Sequence, residues 1–428
     1  MYKTLVAPLS VQIEITDNCN QTCGHCYRSC QSITSSVATS MSPEQVVYVV
    51  DELAKNKVFS ITFTGGEPLM CKDSLRAGIK RVFEHSIICA VNSNLQFLDN
   101  DLIDLFQKCD VKILTSLLSH KRETHDFISG IKGSHDRLLR NILRLKEAKI
   151  RTSANMVIRR DNAHQIYETG SLAHSLGVIQ FSATKVAPSP GHDYNLYKAT
   201  PGQIKESLDV LLQLKKDYGI KVEILESYPY CFIEDIEKYS IFAKRNCTAG
   251  VLNCSIMPDG NVKSCAHSDL TYGNVFEKPF VDCWNSMIDW RSGEYVYEGC
   301  RECEFLLKCT GGCRIDAKIC YNDIKGRDPL MTNPSRVRPV KSSYQKVELS
   351  DYLIFNPEIR TRRENFGGVI RNGDDIIFLS HNGFSNVELL KDKGFFKWRD
   401  VLSPGVSVEE METFFSILCQ KNIVAKRR

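Results

Sequence analysis

Cys19, Cys23 and Cys26 place three thiols on one loop, separated by three and then two residues. Thiolates are soft ligands that suit zinc or iron-sulfur clusters. A zinc site would draw its fourth ligand from Cys30 or His25. A four-iron cube held by only three thiolates would instead leave one iron open to a substrate or cofactor. Further along, Gly65-Gly66-Glu67-Pro68 joins two residues that let backbone approach a ligand closely to a proline that fixes the exit.

A second field of thiols runs as Cys247-x12-Gly260-x4-Cys265, then Cys300-x2-Cys303-x5-Cys309-x3-Cys313, then Cys320. With Cys254 these make eight, enough for two fully ligated four-iron clusters, or for a pair of zinc ribbons. The chain has 18 cysteines, and a reducing cytosol makes disulfides a poor reason for them. Cys71, Cys89, Cys109, Cys283 and Cys419 read as small hydrophobes, while Cys30 and Cys231 are the candidates for mechanistic thiols.

For these loops to act together, the strands before them must end side by side. Residues 9–16 are β-rich and run into the first cysteine loop. Ser42, Pro43 and Gln45 open a helix with a capping box, and Val46, Val47, Val50 and Leu53 form its apolar stripe. Strands at 60–64, 87–92, 111–118, 154–158, 178–186 and 221–225 alternate with helices at 73–84, 101–108, 134–148, 163–175 and after Thr200-Pro201. Such alternation predicts an α/β parallel barrel or open barrel, whose chemistry sits in the loops after the strands. Beyond residue 240 the pattern breaks into Cys, Gly and Asn-rich turns that bury little apolar area, so metal must supply cohesion there. Residues 323–345 read as a linker.

The 428 residues exceed one ordinary core, and 43% hydrophobic with 25% charged residues is a globular composition. No stretch has the length and apolarity of a membrane span, and residues 1–10 lack a secretory signal, so a cytoplasmic protein without a membrane partner is expected. The net charge of +4 gives no reason to expect nucleic acid.

A Cys-x3-Cys-x2-Cys loop after the first strand, with Gly-Gly-Glu-Pro after the second, resembles the radical S-adenosylmethionine (SAM) superfamily over about 220 residues. The resemblance implies a partial (β/α)6 barrel in which Cys19, Cys23 and Cys26 bind a 4Fe-4S cluster whose open iron is chelated by SAM. Gly65, Gly66 and Glu67 match the segment that holds the methionine end of SAM, its backbone and carboxylate pairing the ammonium. One-electron reduction would cleave SAM to methionine and a 5'-deoxyadenosyl radical that takes hydrogen from substrate. Ser93-Asn94 stands where the family often has Thr-Asn-Gly, and Ser116 where a strand-end Ser commonly contacts SAM, although Leu118 replaces a frequent acidic residue; a buried hydroxyl bonded to backbone is the other reading of Ser116.

The later cysteines resemble the SPASM extension of radical SAM peptide maturases, with Pro258-Asp259-Gly260, Gly273-Asn274-Val275 and Gly311-Gly312-Cys313 in agreement. By that resemblance Cys247, Cys254, Cys265 and Cys313 hold an inner auxiliary 4Fe-4S cluster, and Cys300, Cys303, Cys309 and Cys320 an outer one, three clusters in all.

Strand signals at 352–355, 367–370 and 376–379 precede helices, the last opened by a Ser407 to Glu410 capping box and burying Met411, Phe414, Phe415 and Leu418. This small α+β winged-helix pattern resembles the PqqD-like elements that hold precursor-peptide leaders by strand addition. Arg360, Arg362 and Arg363 would meet an acidic leader or else stay solvated, and the acidic Glu409-Glu410 helix start disfavours DNA.

The expected organisation is a radical SAM barrel at 1–230, a SPASM domain at 231–335 and a peptide-recognition domain at 346–428. The expected activity is oxidative crosslinking of a ribosomal precursor peptide through carbon, sulfur or oxygen, with electrons from a flavodoxin or ferredoxin. A sulfatase-type maturase making formylglycine, and a non-enzymatic metal or nucleic-acid-binding regulator, are the competing readings.

Overall fold

Seven strands lie side by side in chain order and run parallel: β1 (Ser10–Glu14), β2 (Ser60–Thr64), β3 (Ile88–Asn92), β4 (Lys112–Ser116), β5 (Thr152–Ile158), β6 (Gln180–Lys185) and β7 (Lys221–Glu223). The computed structural model describes residues 2–27, 39–189, 193–338, 346–348, 350–373, 375–397, 399 and 407–426. Cys30 lies outside them.

Helices connect successive strands. Pro43–Lys55 is opened by the Ser42 and Gln45 capping box, and Pro201–Tyr218 by the same device at Thr200 and Gln203. The first helix packs Val46, Val49, Val50 and Leu53 inward, so Val49 takes the place expected of Val47. The helix Arg122–Ser129, absent from the sequence expectation, lies between β4 and β5; its cap residue Lys121 makes no side-chain bond. Ile13, Phe63, Val91 and Phe181 are fully buried, as parallel strands covered by helices require.

The cysteine-rich segment is not the poorly packed appendage that its composition implied. β8 (Asn253–Ile256) pairs in parallel with β1, and β9 (Asn261–Lys263) and β10 (Thr271–Asn274) extend the same sheet to ten strands. Phe280, Trp284 and Met287 are buried behind them. Strands of three and four residues are too short to show a period, which is why the sequence pattern missed them. The expected linker is also partly structured: Asp328 is fully buried and accepts the backbone N–H of Cys313 at 2.6 Å.

The chain divides into two compact units, Met1–Pro339 and Val340–Arg428. In the second, β12 (Arg360–Glu364), β13 (Gly367–Asn372) and β14 (Asp375–Leu379) form one antiparallel sheet, and β11 (Tyr352–Phe355), β15 (Phe396–Lys397) and β16 (Val424–Lys426) another. Phe384, Phe415 and Leu418 from the helices His381–Leu390 and Val408–Gln420 fill the core. Arg362 is not a surface cation: it is buried against Glu364 at 2.7 Å, because the strand turns it inward. Arg363 pairs with Glu388 and covers the Phe384 ring. No helix among the described residues is long and apolar enough to cross a membrane.

Candidate functional site

The thiol loop and the glycine segment leave adjacent parallel strands at the same end of the sheet, the end where such folds place their chemistry. Gly66 donates its N–H to Thr16 O, and Glu67 its N–H to Asn18 O, both at 2.7 Å. This close lacing needs glycine. A Cβ on Gly65, whose φ is +130°, would stand 2.4 Å from Thr16 O, and one on Gly66 would stand 2.0 Å from Asn18 O.

Glu67 closes the segment from below. It is almost fully buried, and its carboxylate accepts Ser93 Oγ at 2.7 Å, the Asn94 N–H at 2.7 Å and the Leu69 N–H at 2.9 Å. Burial pushes the carboxyl up to about 7, against these three bonds. The carboxylate thus ties the loops after β2 and β3 together, while the carbonyls of Gly65 and Gly66 accept no hydrogen bond from the described residues. Asn94 reaches the first loop, donating to Asn20 Oδ1 at 2.8 Å. Ser116 lies exposed at the end of β4, not buried against backbone.

The donor set of the first loop suits a multi-iron group. Cys19, Cys23 and Cys26 are free thiols, with Cys19 exposed and the other two partly so. Burial pushes Cys19 up to about 11 and Cys23 higher, and the neighbouring thiols add to the Cys23 shift. Without a metal these groups keep their protons; positive charge from bound iron is what would make them thiolates. The loop is pinned by Thr22 N–H to Ser129 O at 3.1 Å and by Cys26 N–H to Cys23 O at 3.0 Å. Cys30 and the fourth zinc ligand it might have offered fall outside the described residues.

The second thiol field resolves into neighbourhoods. Cys247 lies close enough to both Cys265 and Cys313 to bear on their ionisation. Cys309 and Cys303 bear likewise on Cys300. Cys254 is fully buried on β8, within electrostatic range of Cys283 and Arg291. Cys320 lies on the helix Arg314–Tyr321, where Asp316, Lys185, Lys198 and Asp328 act on it most strongly.

Two features between the thiol sites escaped the sequence reading. Tyr27 stacks on His267 with ring centroids 4.3 Å apart, and burial, then Cys26 and Cys265, hold its hydroxyl far above the ordinary phenol range. Lys185, at the end of β6, is buried between Glu226, at 2.8 Å, and Asp316. Asp328 behind them is pushed up to about 6 by burial and then by Asp316. A lysine ending a strand of otherwise uncharged residues was the available signal for this network.

Residues 13–173 match the Radical SAM superfamily, and residues 247–304 match an iron-sulfur cluster-binding domain, SPASM. The AdoMet-dependent heme synthase of Methanosarcina barkeri is 25% identical over 76% of this chain and 96% of its own length. The sporulation killing factor maturation protein SkfB of Bacillus subtilis is 27% identical over 64% of each chain. Among solved structures, Streptococcus suis SuiB bound to S-adenosylmethionine has the same fold, with a TM-score of 0.64 over 76% of this chain and 78% of its own, at 18% identity. Radical SAM domains bind a four-iron cluster and SAM, and SPASM domains bind auxiliary clusters. With a thiol loop laced to a glycine segment at the strand ends and a second thiol field built into the same folded unit, this chain is a radical SAM enzyme with a SPASM domain.

Proposed function

We propose that the enzyme matures a ribosomally made precursor peptide by an oxidative crosslink, with residues 1–230 as the SAM-binding barrel, 231–335 as the auxiliary-cluster domain and 346–428 as the holder of the peptide's leader. The observation that carries this reading is the second compact unit, Val340–Arg428, with its own core and its own two sheets. The heme synthase alignment covers nearly all of that protein yet leaves about a quarter of this chain unmatched. A leader-holding unit gives the extra residues a role, and SkfB is by name a maturation protein.

Cys19, Cys23 and Cys26 would hold the SAM cluster, and the open carbonyls of Gly65 and Gly66 would accept the ammonium of SAM. Glu67 acts as a positioning residue, because its carboxylate is occupied by Ser93, Asn94 and Leu69. Ser116 is open to a SAM contact at the next strand end but one. When bound, the cluster and SAM would supply a strong hydrogen-abstracting radical, with a flavodoxin or ferredoxin as electron donor, and the thiols of the second field would hold two auxiliary clusters. The chain's own part is to hold these groups apart from water and from each other.

In the second unit β12 and β14 are the outer strands of their sheet, and an added peptide strand pairs with such an edge. Holding the leader there makes delivery of the core peptide intramolecular, an advantage of roughly 10²- to 10⁴-fold. The test compares intact enzyme with a variant lacking 346–428 on a short peptide encoded beside the gene. Deletion should leave SAM cleavage without peptide intact and sharply reduce the peptide's mass change. Equal modification by both enzymes would remove the leader-binding role.

A further inference from the structure

Cys231 lies outside both cysteine runs, yet four contacts place it among the outer thiols. It sits on the short helix Tyr230–Ile233 and is buried. Tyr230, its neighbour in the chain, donates its N–H to Cys309 Sγ at 3.3 Å. Thr332 donates its N–H to Cys231 Sγ at 3.4 Å, and the Thr332 hydroxyl donates to the Cys231 carbonyl. Met331, one residue earlier, sets its sulfur 3.9 Å from Cys300 Sγ. Cys231 is therefore joined to Cys309 through one dipeptide and to Cys300 through another. Cys231 and Cys303 are both within electrostatic range of Cys300 and of Cys309.

Cys320 has a different setting. It is seven residues beyond Cys313, about two turns along the helix Arg314–Tyr321, and its strongest charged neighbours belong to the Lys185 network. The helix carries it toward that network.

We propose that Cys231 is the fourth thiolate of the outer auxiliary cluster, completing a set with Cys300, Cys303 and Cys309. The proposal rests on the reading that this region holds such a cluster. A four-iron cube takes one thiolate at each of four corners, so its ligands need not converge on a point as they do around a single ion. The N–H groups of Tyr230 and Thr332 donate to two of these sulfurs, and hydrogen bonds to ligand sulfur are a principal means by which a protein tunes cluster potential. The cube would also staple the segment after β7 to the end of the cysteine run, a cross-link between residues 231 and 309 that no disulfide supplies.

The experiment starts from a parent in which Cys19, Cys23 and Cys26 are all changed to Ala, which should hold about eight irons per chain in its two auxiliary clusters. Adding Cys231→Ala should lower this to about four and remove one of the two reduced-cluster EPR signals, whereas adding Cys320→Ala should leave about eight and both signals. Should Cys231→Ala not fold, Cys231→Ser keeps the size but offers iron a poor ligand, and one EPR signal should change its g values. Unchanged iron and EPR in the Cys231 variants, with loss in Cys320→Ala, would overturn the assignment alone. A parent without iron would overturn the cluster reading beneath it.

Discussion

Ser93 donates its hydroxyl to Glu67 Oε1 at 2.7 Å, joining the end of β3 to the loop after β2. The two residues are 26 apart in the chain and both are buried. Under the proposed reading, this bond lets Glu67 serve a SAM site without touching SAM, by holding the loops that frame the glycine carbonyls. The cost of burying that carboxylate is visible in its rise to about 7.

Glu67→Ala should therefore weaken SAM binding and destabilise the barrel together. It leaves Ser93 Oγ and the N–H groups of Asn94 and Leu69 without an acceptor, at about 1 to 3 kcal/mol for each group left unsatisfied. Glu67→Gln should cost less, because its remaining oxygen can keep the Ser93 and Leu69 bonds and only the Asn94 N–H faces a donor. Urea midpoints and SAM titration of reconstituted protein check this order. Equal behaviour of the Ala and Gln variants would contradict it.

The buried pair of Lys185 and Asp316 spans 131 residues, with each side chain at most 3% exposed. Lys185→Met leaves Asp316, Glu226 and Asp328 uncompensated and should cost about 3 to 5 kcal/mol, the usual penalty for removing one partner of a buried pair. Combining Lys185→Met with Asp316→Leu should recover part of the loss. Thermal unfolding under anaerobic conditions reads both, and additive losses in the double variant would show that the two charges do not depend on each other.

Acid should destabilise the packing of the helix Arg122–Ser129, which buries His125. Burial, then His135, holds this imidazole down to about 4, below its ordinary 6.5. The unfolded chain binds the extra proton first, so the contribution is full above about 6.5 and lost as pH falls toward 4. At roughly 1.4 kcal/mol per pH unit this amounts to about 3 kcal/mol. His125→Asn retains an acceptor for the Leu118 N–H, which His125 Nδ1 accepts at 3.2 Å, and does not titrate. Wild type should lose more stability than His125→Asn between pH 7 and pH 5 in urea unfolding; parallel losses would contradict the assignment.

The parallel strands were legible because short β-rich runs alternate with helical patterns, and β2 falls on the residues expected of it. Capping boxes at Ser42 and Ser407, and Thr200-Pro201 before a third helix, marked three helices directly. Arg122–Ser129 went unread because Lys121 caps nothing with its side chain. β8 to β10 were too short for a period, and Arg362 looked like a surface cation because its partner Glu364 is two residues away on the same inward face. Motif spacing located the thiols of the site, but grouping them was beyond it. The Tyr230 N–H reaches Cys309 across 79 residues only through the fold, and a count of intervening residues says nothing of the Lys185 network beside Cys320.

The most direct test of the account is release of 5'-deoxyadenosine by anaerobically reconstituted enzyme given SAM and a one-electron reductant. Wild type should release it, and the variant with Cys19, Cys23 and Cys26 changed to Ala should release none while keeping about eight of about twelve irons. Equal release from both proteins would contradict the assignment of that loop to SAM chemistry.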